Sequence, residues 1–398
     1  MRERHRPEPG TFGPSDRPPG TYRGRRERDG MTKRFGILQK SFPARGSGRP
    51  SPTFRPAVTW RLFHSAGKRY GLQVLFFRSE DVDFKRRRVH AWSSRSQDGQ
   101  SGWRREWHPL PDVLYENYPV GIRGLGLGAK AVKRKFEELG IPAFNPRFFD
   151  KAELHGLLSL HPRIARYVPE SEPADRASDL VRLLGRWGNV YLKPVLGYQG
   201  KGILEIRQSG PGRYEVRSSK HGEIPKIEGK VTLEKLTGIA GRLLKKRNYL
   251  AQQGLDLIRR DGRKIDFRVV VHRGSDGNWH TAGIRPKLGK PGSIVTNSHA
   301  GGSKTTWLEL SRWASRSGVP LPSAEELVKP ALEAARYLTL FRPTLSHLGI
   351  DVAVDRRRGI YLLDFNTVPG RDLLTSDMLR RVTDLTAGFA SYLTARRP

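Results

Sequence analysis

The chain is 398 residues long, more than one compact domain usually holds, which implies two or three lobes. It has no cysteine, which excludes disulfides, thiolate zinc sites and a cysteine nucleophile; any metal must take oxygen or imidazole ligands, and oxygen ligands favour magnesium. Its 73 Lys+Arg against 39 Asp+Glu give a net charge of +34, which attracts polyanions such as nucleic acid, anionic envelope polymer or a triphosphate, although an arginine-rich solvated surface explains it equally well.

Residues 1–30 are rich in Pro, Gly and Arg and poor in aliphatic side chains, so they are expected to be a disordered basic tail. Met31 offers an alternative start. From Phe35 to Pro119 the runs FGIL, GLQVLFF, VHAW and DVLYENY alternate with polar stretches, as in a small α/β lobe spanning 31–125. Within it, Ala91–Trp107 is loop-like, with Ser, Gly and Arg around its tryptophans. Such a tract can stack bases, but a hairpin carrying surface aromatics is the commoner case. Residues 126–140 read as a helix ending at Gly140, just before Pro142. Strands and helices follow to residue 398, without internal repeats. The apolar runs are strand-length, too short to span a bilayer, and no secretory segment is evident near the amino terminus, so a cytoplasmic protein is expected.

Four segments carry candidate chemistry. In 189–206, a strand bearing Lys193 leads into a turn with Gly197, Gly200, Lys201 and Gly202, where backbone N–H groups can approach phosphate oxygens; a ligand-free glycine hairpin is the alternative. In 249–274, two strands flank Asp261-Gly262, and Asp266 shares a face with Arg268, whose guanidinium suits phosphate and which the Asp would orient; a surface ion pair is the alternative. In 281–306, Arg285 and Lys287 precede a polar loop containing Asn297 that by itself implies nothing. In 346–371, GIDVAV and GIYLLDF flank a charged turn as an antiparallel hairpin. Pairing Asp355 with Ile360 sets Asp351 opposite Asp364, with Asn366 on the same face. Two facing carboxylates repel unless a cation lies between them, and two carboxylates with an amide oxygen suit magnesium. A register slip of one residue would separate them.

In order and spacing these segments resemble the ATP-grasp superfamily, and within it the YheC/YheD-type, endospore coat-associated group. The carrying residues are LPDVLYENYP (110–119), FNPRFFDK (144–151), VYLKPVLGYQGKGI (190–203), YLAQQGLDL (249–257), DFRVVV (266–271), VTNSHAGG (295–302) and GIDVAVD with IYLLDFNTVPGR (349–371). The resemblance implies an α/β (α+β) ATP-grasp fold: a small amino-terminal lobe, then an ATP-grasp domain over 126–398 with nucleotide between two subdomains. It implies Lys151 and Lys193 as nucleotide lysines, Gly197–Gly202 as a flap over the phosphates, Gln252, Gln253, Gly254 and Leu255 as the adenine-holding hinge, and Asp256 as a ribose contact. Arg268 and Arg285 would hold the γ-phosphate or acyl phosphate near Asn297, and Asp351, Asp364 and Asn366 would ligate magnesium, with manganese as a substitute. Position 364 is Asp where the superfamily more often has Glu, one methylene shorter. The implied activity is ATP-dependent carboxylate–amine ligation through an acyl phosphate, with small-molecule or peptide substrates, in a forespore, spore-coat or cell-envelope setting. The alternative is a nucleotide-binding coat or envelope component without turnover; an anionic envelope polymer is a further candidate partner, nucleic acid a less favoured one.

Overall fold

The computed structural model describes residues 32–40, 42, 56–117, 127–145, 149–196, 201–219, 228–296, 302–367 and 369–396. The expected tail 1–30 lies outside the described residues.

Apolar runs with strand periodicity sort into three sheets. The first is built from β1 (Lys33–Leu38), β2 (Leu72–Phe77), β3 (Val82–Asp83), β4 (Arg88–Ser94), β5 (Trp103–Pro109), β6 (Val113–Glu116) and β7 (Ala143–Phe144). Their order is β3-β4-β2-β1-β6-β7, with β5 added on β4; β1 runs parallel to β2 and β6, whereas β4 runs antiparallel to its neighbours. Helices α1 (Val58–Arg69) and α2 (Leu127–Glu138) accompany it. The expected end of α2 holds: Gly140 has φ +68°, a left-handed conformation that glycine adopts without strain.

The tract 91–107 is a strand hairpin more than a loop. β4 and β5 pair from Arg88 with Pro109 to Ser94 with Trp103. Its tryptophans mostly serve the core: Trp92 and Trp103 are 6% and 7% exposed and pack near Trp60 and Phe76. Only Trp107 stands outward, with the Arg88 guanidinium 4.1 Å from its ring.

After α3 (Lys151–Leu160) comes an antiparallel sheet of β8 (Ser171–Ala174), β9 (Asn189–Pro194), β10 (Leu204–Gly210), β11 (Arg213–Ser218), β12 (Glu228–Thr232) and β13 (Tyr249–Gln253), backed by α4 (Ala177–Trp187) and α5 (Leu233–Leu244). Its strand order is β12-β11-β10-β9-β13-β8. The last sheet, also antiparallel, holds β14 (Arg259–Arg260), β15 (Arg263–Arg273), β16 (Trp279–Leu288), β17 (Ser303–Lys304), β18 (His347–Val354) and β19 (Ile360–Asn366), in the order β17-β16-β15-β18-β19 with β14 on β15. Asp261 and Gly262 both take positive φ (52° and 72°), the twist that a two-residue hairpin turn requires. One face of this sheet is apolar, with Phe267, Val269, Val271, Ile350 and Val352 buried against α7 (Ala324–Phe341); α6 (Trp307–Arg316) borders it. The opposite face carries charge at alternate positions.

The last helix, α8 (Ser376–Ala395), serves two sheets. Its first half (Met378, Val382, Leu385) covers Val270 and Ala282 of the third sheet, and its second half (Ala387, Phe389, Ala390) enters the core of the first beside Phe144 and Phe63.

The β18–β19 hairpin corrects the expected register. Asp355 does not pair with Ile360; Val354 does, followed by Ala353 with Tyr361 and Val352 with Leu362. Continued unchanged, that register would put Asp351 opposite Leu363. A one-residue bulge at Leu363 shifts the ladder, so that Asp351 faces Asp364 and Gly349 faces Asn366.

Candidate functional site

The polar face of the third sheet is built by cross-strand pairing. Arg285, Arg268, Asp351 and Asp364 stand in one row across β16, β15, β18 and β19. The next row toward the second sheet begins with Lys287 and Asp266. Directly paired residues project on the same side, so the charges meet. The Arg268 guanidinium donates to both oxygens of Asp351, through Nε at 2.8 Å and Nη2 at 3.1 Å, and Lys287 Nζ adds a bond to Asp351 Oδ1 at 2.9 Å. Burial alone would raise the Asp351 carboxyl; Arg268 and then Lys287 overcome it and hold it well below the usual carboxylate range. Asp266 lies 3.2 Å from Lys287 Nζ and accepts from the Thr296 hydroxyl, yet burial pushes its carboxyl up. The expectation that Asp266 orients Arg268 is therefore corrected. Neighbours two apart on one strand reach past each other, whereas Asp351 lies directly opposite Arg268 on the next.

This row opens into a cleft against the second sheet. The cavity there encloses about 930 Å³ of open space, solvent at its mouth included. Lys151, Lys193, Lys201, Lys264, Asp266, Asp351 and Asp364 line it together with Gln252, Gln253, Leu255, Leu257 and Ile294–Thr296. Lys151 is the first residue of α3, whose cap Asp150 accepts from Glu153 N at 2.8 Å, and its ammonium lies 3.9 Å from Asp364 Oδ1. Lys193, on β9, donates to the neutral Gln252 Oε1 at 2.5 Å, and Gln252 Nε2 donates to Ser171 Oγ at 3.2 Å. Burial pulls the Lys193 ammonium down to about 8, with Asp364 opposing. Lys264 crosses between the sheets to Glu205 Oε1 (3.2 Å) and the Tyr191 hydroxyl. It too is drawn to about 8 by burial, against the pull of Glu205.

Of the residues expected from sequence, Lys151, Lys193, Lys201, Gln252, Gln253, Leu255, Asp351 and Asp364 meet around this one cavity. Arg268 is buried beside it, holding Asp351. Gly202 has φ +76°, and Gly254 passes so close to Asn189 that an added Cβ would come within 2.3 Å of its side chain. Asp256 is exposed, with Arg356 Nε 3.4 Å away, and is not among the lining residues. Arg285 and Asn366 lie in the polar rows just beyond the lining. Gly197, Gly200 and Asn297 lie outside the described residues. Lys264, Lys287, Glu205 and Tyr191 were not anticipated. Charges at positions 264, 266 and 268, and again at 285 and 287, recur every second residue in otherwise apolar strands, and that is the signal of a buried polar face.

The donor set fits magnesium. Asp364 points its half-exposed carboxylate toward the cavity, Asn366 follows on the same strand face, and Asp351 keeps one of about four carboxylate lone-pair sites after three donors. Among the described residues no three His, Cys, Asp or Glu side chains gather into a cage. A partial set of oxygens suits an ion that keeps water and phosphate ligands.

A family model for YheC/D-like ATP-grasp matches residues 140–393. The endospore coat-associated protein YheD of Bacillus subtilis (strain 168) is 30% identical over 307 residues, which cover 75% of this chain and 66% of that one, so the match leaves about a third of the relative's length unspanned. Endospore coat-associated protein YheC of the same organism is 23% identical, covering 76% of this chain and 82% of its own. Among solved structures, a Chryseobacterium gregarium RiPP-associated ATP-grasp ligase in complex with ADP and a leader and core peptide aligns over 92% of this chain and 98% of its own at 13% identity and a TM-score of 0.46. The D-cycloserine synthetase DcsG aligns over 90% and 99%, at 11% identity and 0.49. Both structural likenesses are too distant to bear on this chain's chemistry. With the family model matching more than half of its residues, the chain belongs to the YheC/D-like ATP-grasp family.

Proposed function

We propose that the cleft binds Mg-ATP and that the chain transfers the terminal phosphoryl group to a substrate carboxylate, whose acyl phosphate an amine then attacks to form an amide and release phosphate. The observation that carries this reading is the row Arg285–Arg268–Asp351–Asp364, ending in a cavity whose opposite wall supplies Lys193. Gln252 to Leu255 offer a neutral rim for a purine edge, and Lys193 and Lys151 meet phosphate oxygens. The turn Gly197–Gly202 is proposed to cover those phosphates, with Asn297 near the reacting end. Asp256, exposed and near Arg356, is left out of the nucleotide site. Asp364, Asn366 and the spare lone pair of Asp351 would hold magnesium, for which manganese can substitute. These residues would thereby bring a metal whose charge would offset that of the phosphate oxygens. Arg268, locked on Asp351, and Arg285 present fixed positive charge to the transferring group and need no reorganisation as the charge develops. No nucleophilic side chain takes part, in keeping with a chain that has no cysteine.

The shorter carboxylate arm at Asp364, together with relatives named as coat-associated, supports a second reading: a nucleotide-binding, coat-associated protein without turnover. No helix among the described residues is long and apolar enough to cross a membrane. ADP release by the full chain, assayed with Mg-ATP and a mixture of amino acids and peptides, separates the two. The ligase reading expects release that falls roughly a hundredfold or more in Asp364→Ala, with the melting temperature kept. Nucleotide binding without ADP release from any carboxylate–amine pair supports the second reading, and wild-type turnover in Asp364→Ala sinks the metal assignment.

A further inference from the structure

The cations on this polar face are mostly neutralised. Arg268 and Lys287 hold Asp351, Lys287 also lies beside Asp266, and Lys264 holds Glu205. Two guanidiniums break this pattern. Arg285 forms no ion pair among the described residues, and its buried Nε has no hydrogen-bond partner. Arg371 follows β19 in the loop that turns back over the sheet, and it donates through Nη2 to Asn117 Oδ1, a neutral amide, at 2.8 Å. No carboxylate among the described residues pairs with it. The residue is reached by solvent, yet protein crowds its head group enough to lower its pKa, with the buried Tyr115 hydroxyl the nearest opposing influence. Its exposed head group is open to a ligand arriving from solvent.

The loop's course places this guanidinium. Pro369 packs where a Cβ on Gly349 would stand, 2.6 Å away, and Arg268 Nη1 lies 3.0 Å from the same point. Lys304, in register with Lys287 on the edge of the sheet, bonds the Asp372 carbonyl oxygen. Arg371, two residues beyond Pro369, is thus held beside the third sheet and at the end of β6 in the first, where Asn117 fixes it. Nearby, His347 has both ring nitrogens buried without a partner, and Asn145 Oδ1 is likewise unpaired. A guanidinium without an acidic partner leaves donors that an anionic ligand can accept from. Arginine suits it because a planar guanidinium grips a carboxylate with two parallel bonds.

We infer that Arg371, fixed by Asn117, is a substrate-binding residue that takes a carboxylate group of the ligase's small-molecule or peptide substrate at the seam between the first and third sheets. The inference rests on the ligase reading for the identity of its ligand, and on the unpaired guanidinium for its place.

The test uses the full chain loaded with magnesium and the non-hydrolysable analogue AMP-PNP, and a probe panel of the twenty amino acids and their carboxyl-terminal amides. Thermal shifts are recorded for wild type, Arg371→Gln and Arg371→Lys, with ADP release on Mg-ATP in parallel. The expected result is a set of wild-type shifts produced by free carboxylates and not by the matching amides. That preference is lost in Arg371→Gln and partly kept in Arg371→Lys, while all three proteins bind AMP-PNP equally. In turnover, KM for the carboxylate probe rises tenfold or more in Arg371→Gln, with KM for ATP unchanged. Carboxylate-selective shifts that depend on Arg371 but come without ADP release leave the subsite standing and remove the ligase. Equal turnover and KM in wild type and Arg371→Gln overturn the subsite and leave the ligase. A panel with no carboxylate preference in wild type overturns the subsite as well.

Discussion

Lys193 carries the phosphate contact proposed for the cleft. Burial draws its ammonium down to about 8, and its hydrogen bond goes to an amide oxygen and not to a carboxylate. A phosphate group needs the charged form, so affinity for AMP-PNP is expected to weaken as pH rises through about 8 in the free protein. The loss should be roughly tenfold from pH 7 to pH 9, following the fraction still protonated. Lys264 titrates in the same range, but its charge is directed at Glu205. Lys193→Arg, charged throughout, separates the two: calorimetric titration should give that variant the flatter profile, and identical profiles would contradict the role. Lys193 was legible because it sits at a strand end before glycines. Arg268 was legible as a guanidinium on the polar face of its strand, but its partner was not, since Asp351 lies 83 residues away in sequence.

At the scale of elements, the β18–β19 hairpin sets the site through a bulge. Its strands and its facing carboxylates were readable from two apolar runs around a charged turn. The path to them was not, because the turn places Val354, and not Asp355, opposite Ile360 and Leu363 takes up the difference. A bulge leaves no mark in a hydrophobic pattern that the flanking residues already satisfy. Gly349 is the second constraint in this hairpin. Any side chain there meets Pro369 and the Arg268 guanidinium. Gly349→Ala should therefore cost about 1–3 kcal/mol of stability as an overpacked site, and lower turnover more than AMP-PNP affinity. Denaturant unfolding and the two binding and rate assays check it; unchanged turnover with Arg268 in place would refute the linkage.

Across the whole molecule, α8 ties the third sheet to the first, and a histidine pair lies beneath it. His272 and His347 stand opposite each other on β15 and β18, ring centroids 4.9 Å apart. The His272 Nδ1–H donates to the Arg273 carbonyl oxygen at 2.8 Å, and the Thr386 hydroxyl of α8, which also lies 2.6 Å from the Val382 carbonyl oxygen, sits 2.9 Å from Nε2. Burial lowers the His272 pKa to about 3 from the 6.5 of an unfolded chain. The unfolded state then binds the extra proton, so this contribution to stability is whole above pH 6.5 and is lost as pH falls toward 3, by about 1.4 kcal/mol per unit for each such histidine. Melting temperature should drop between pH 7 and pH 5, and less steeply in His272→Asn; equal slopes would contradict the assignment. Sequence could not show this joint, because α8 meets the first sheet across most of the chain's length. The net charge of +34 was plain from composition, but it does not say where the neutralising acids lie, and only the fold shows that, among the described residues, Arg371 and Arg285 have no acidic partner. The most direct test of the central claim follows one oxygen atom. Full-length protein is given Mg-ATP, an amine and amino acids labelled with oxygen-18 in the carboxylate. Carboxylate activation predicts ADP and inorganic phosphate carrying a single labelled oxygen, whereas phosphate released without label, or no ADP at all, would contradict it.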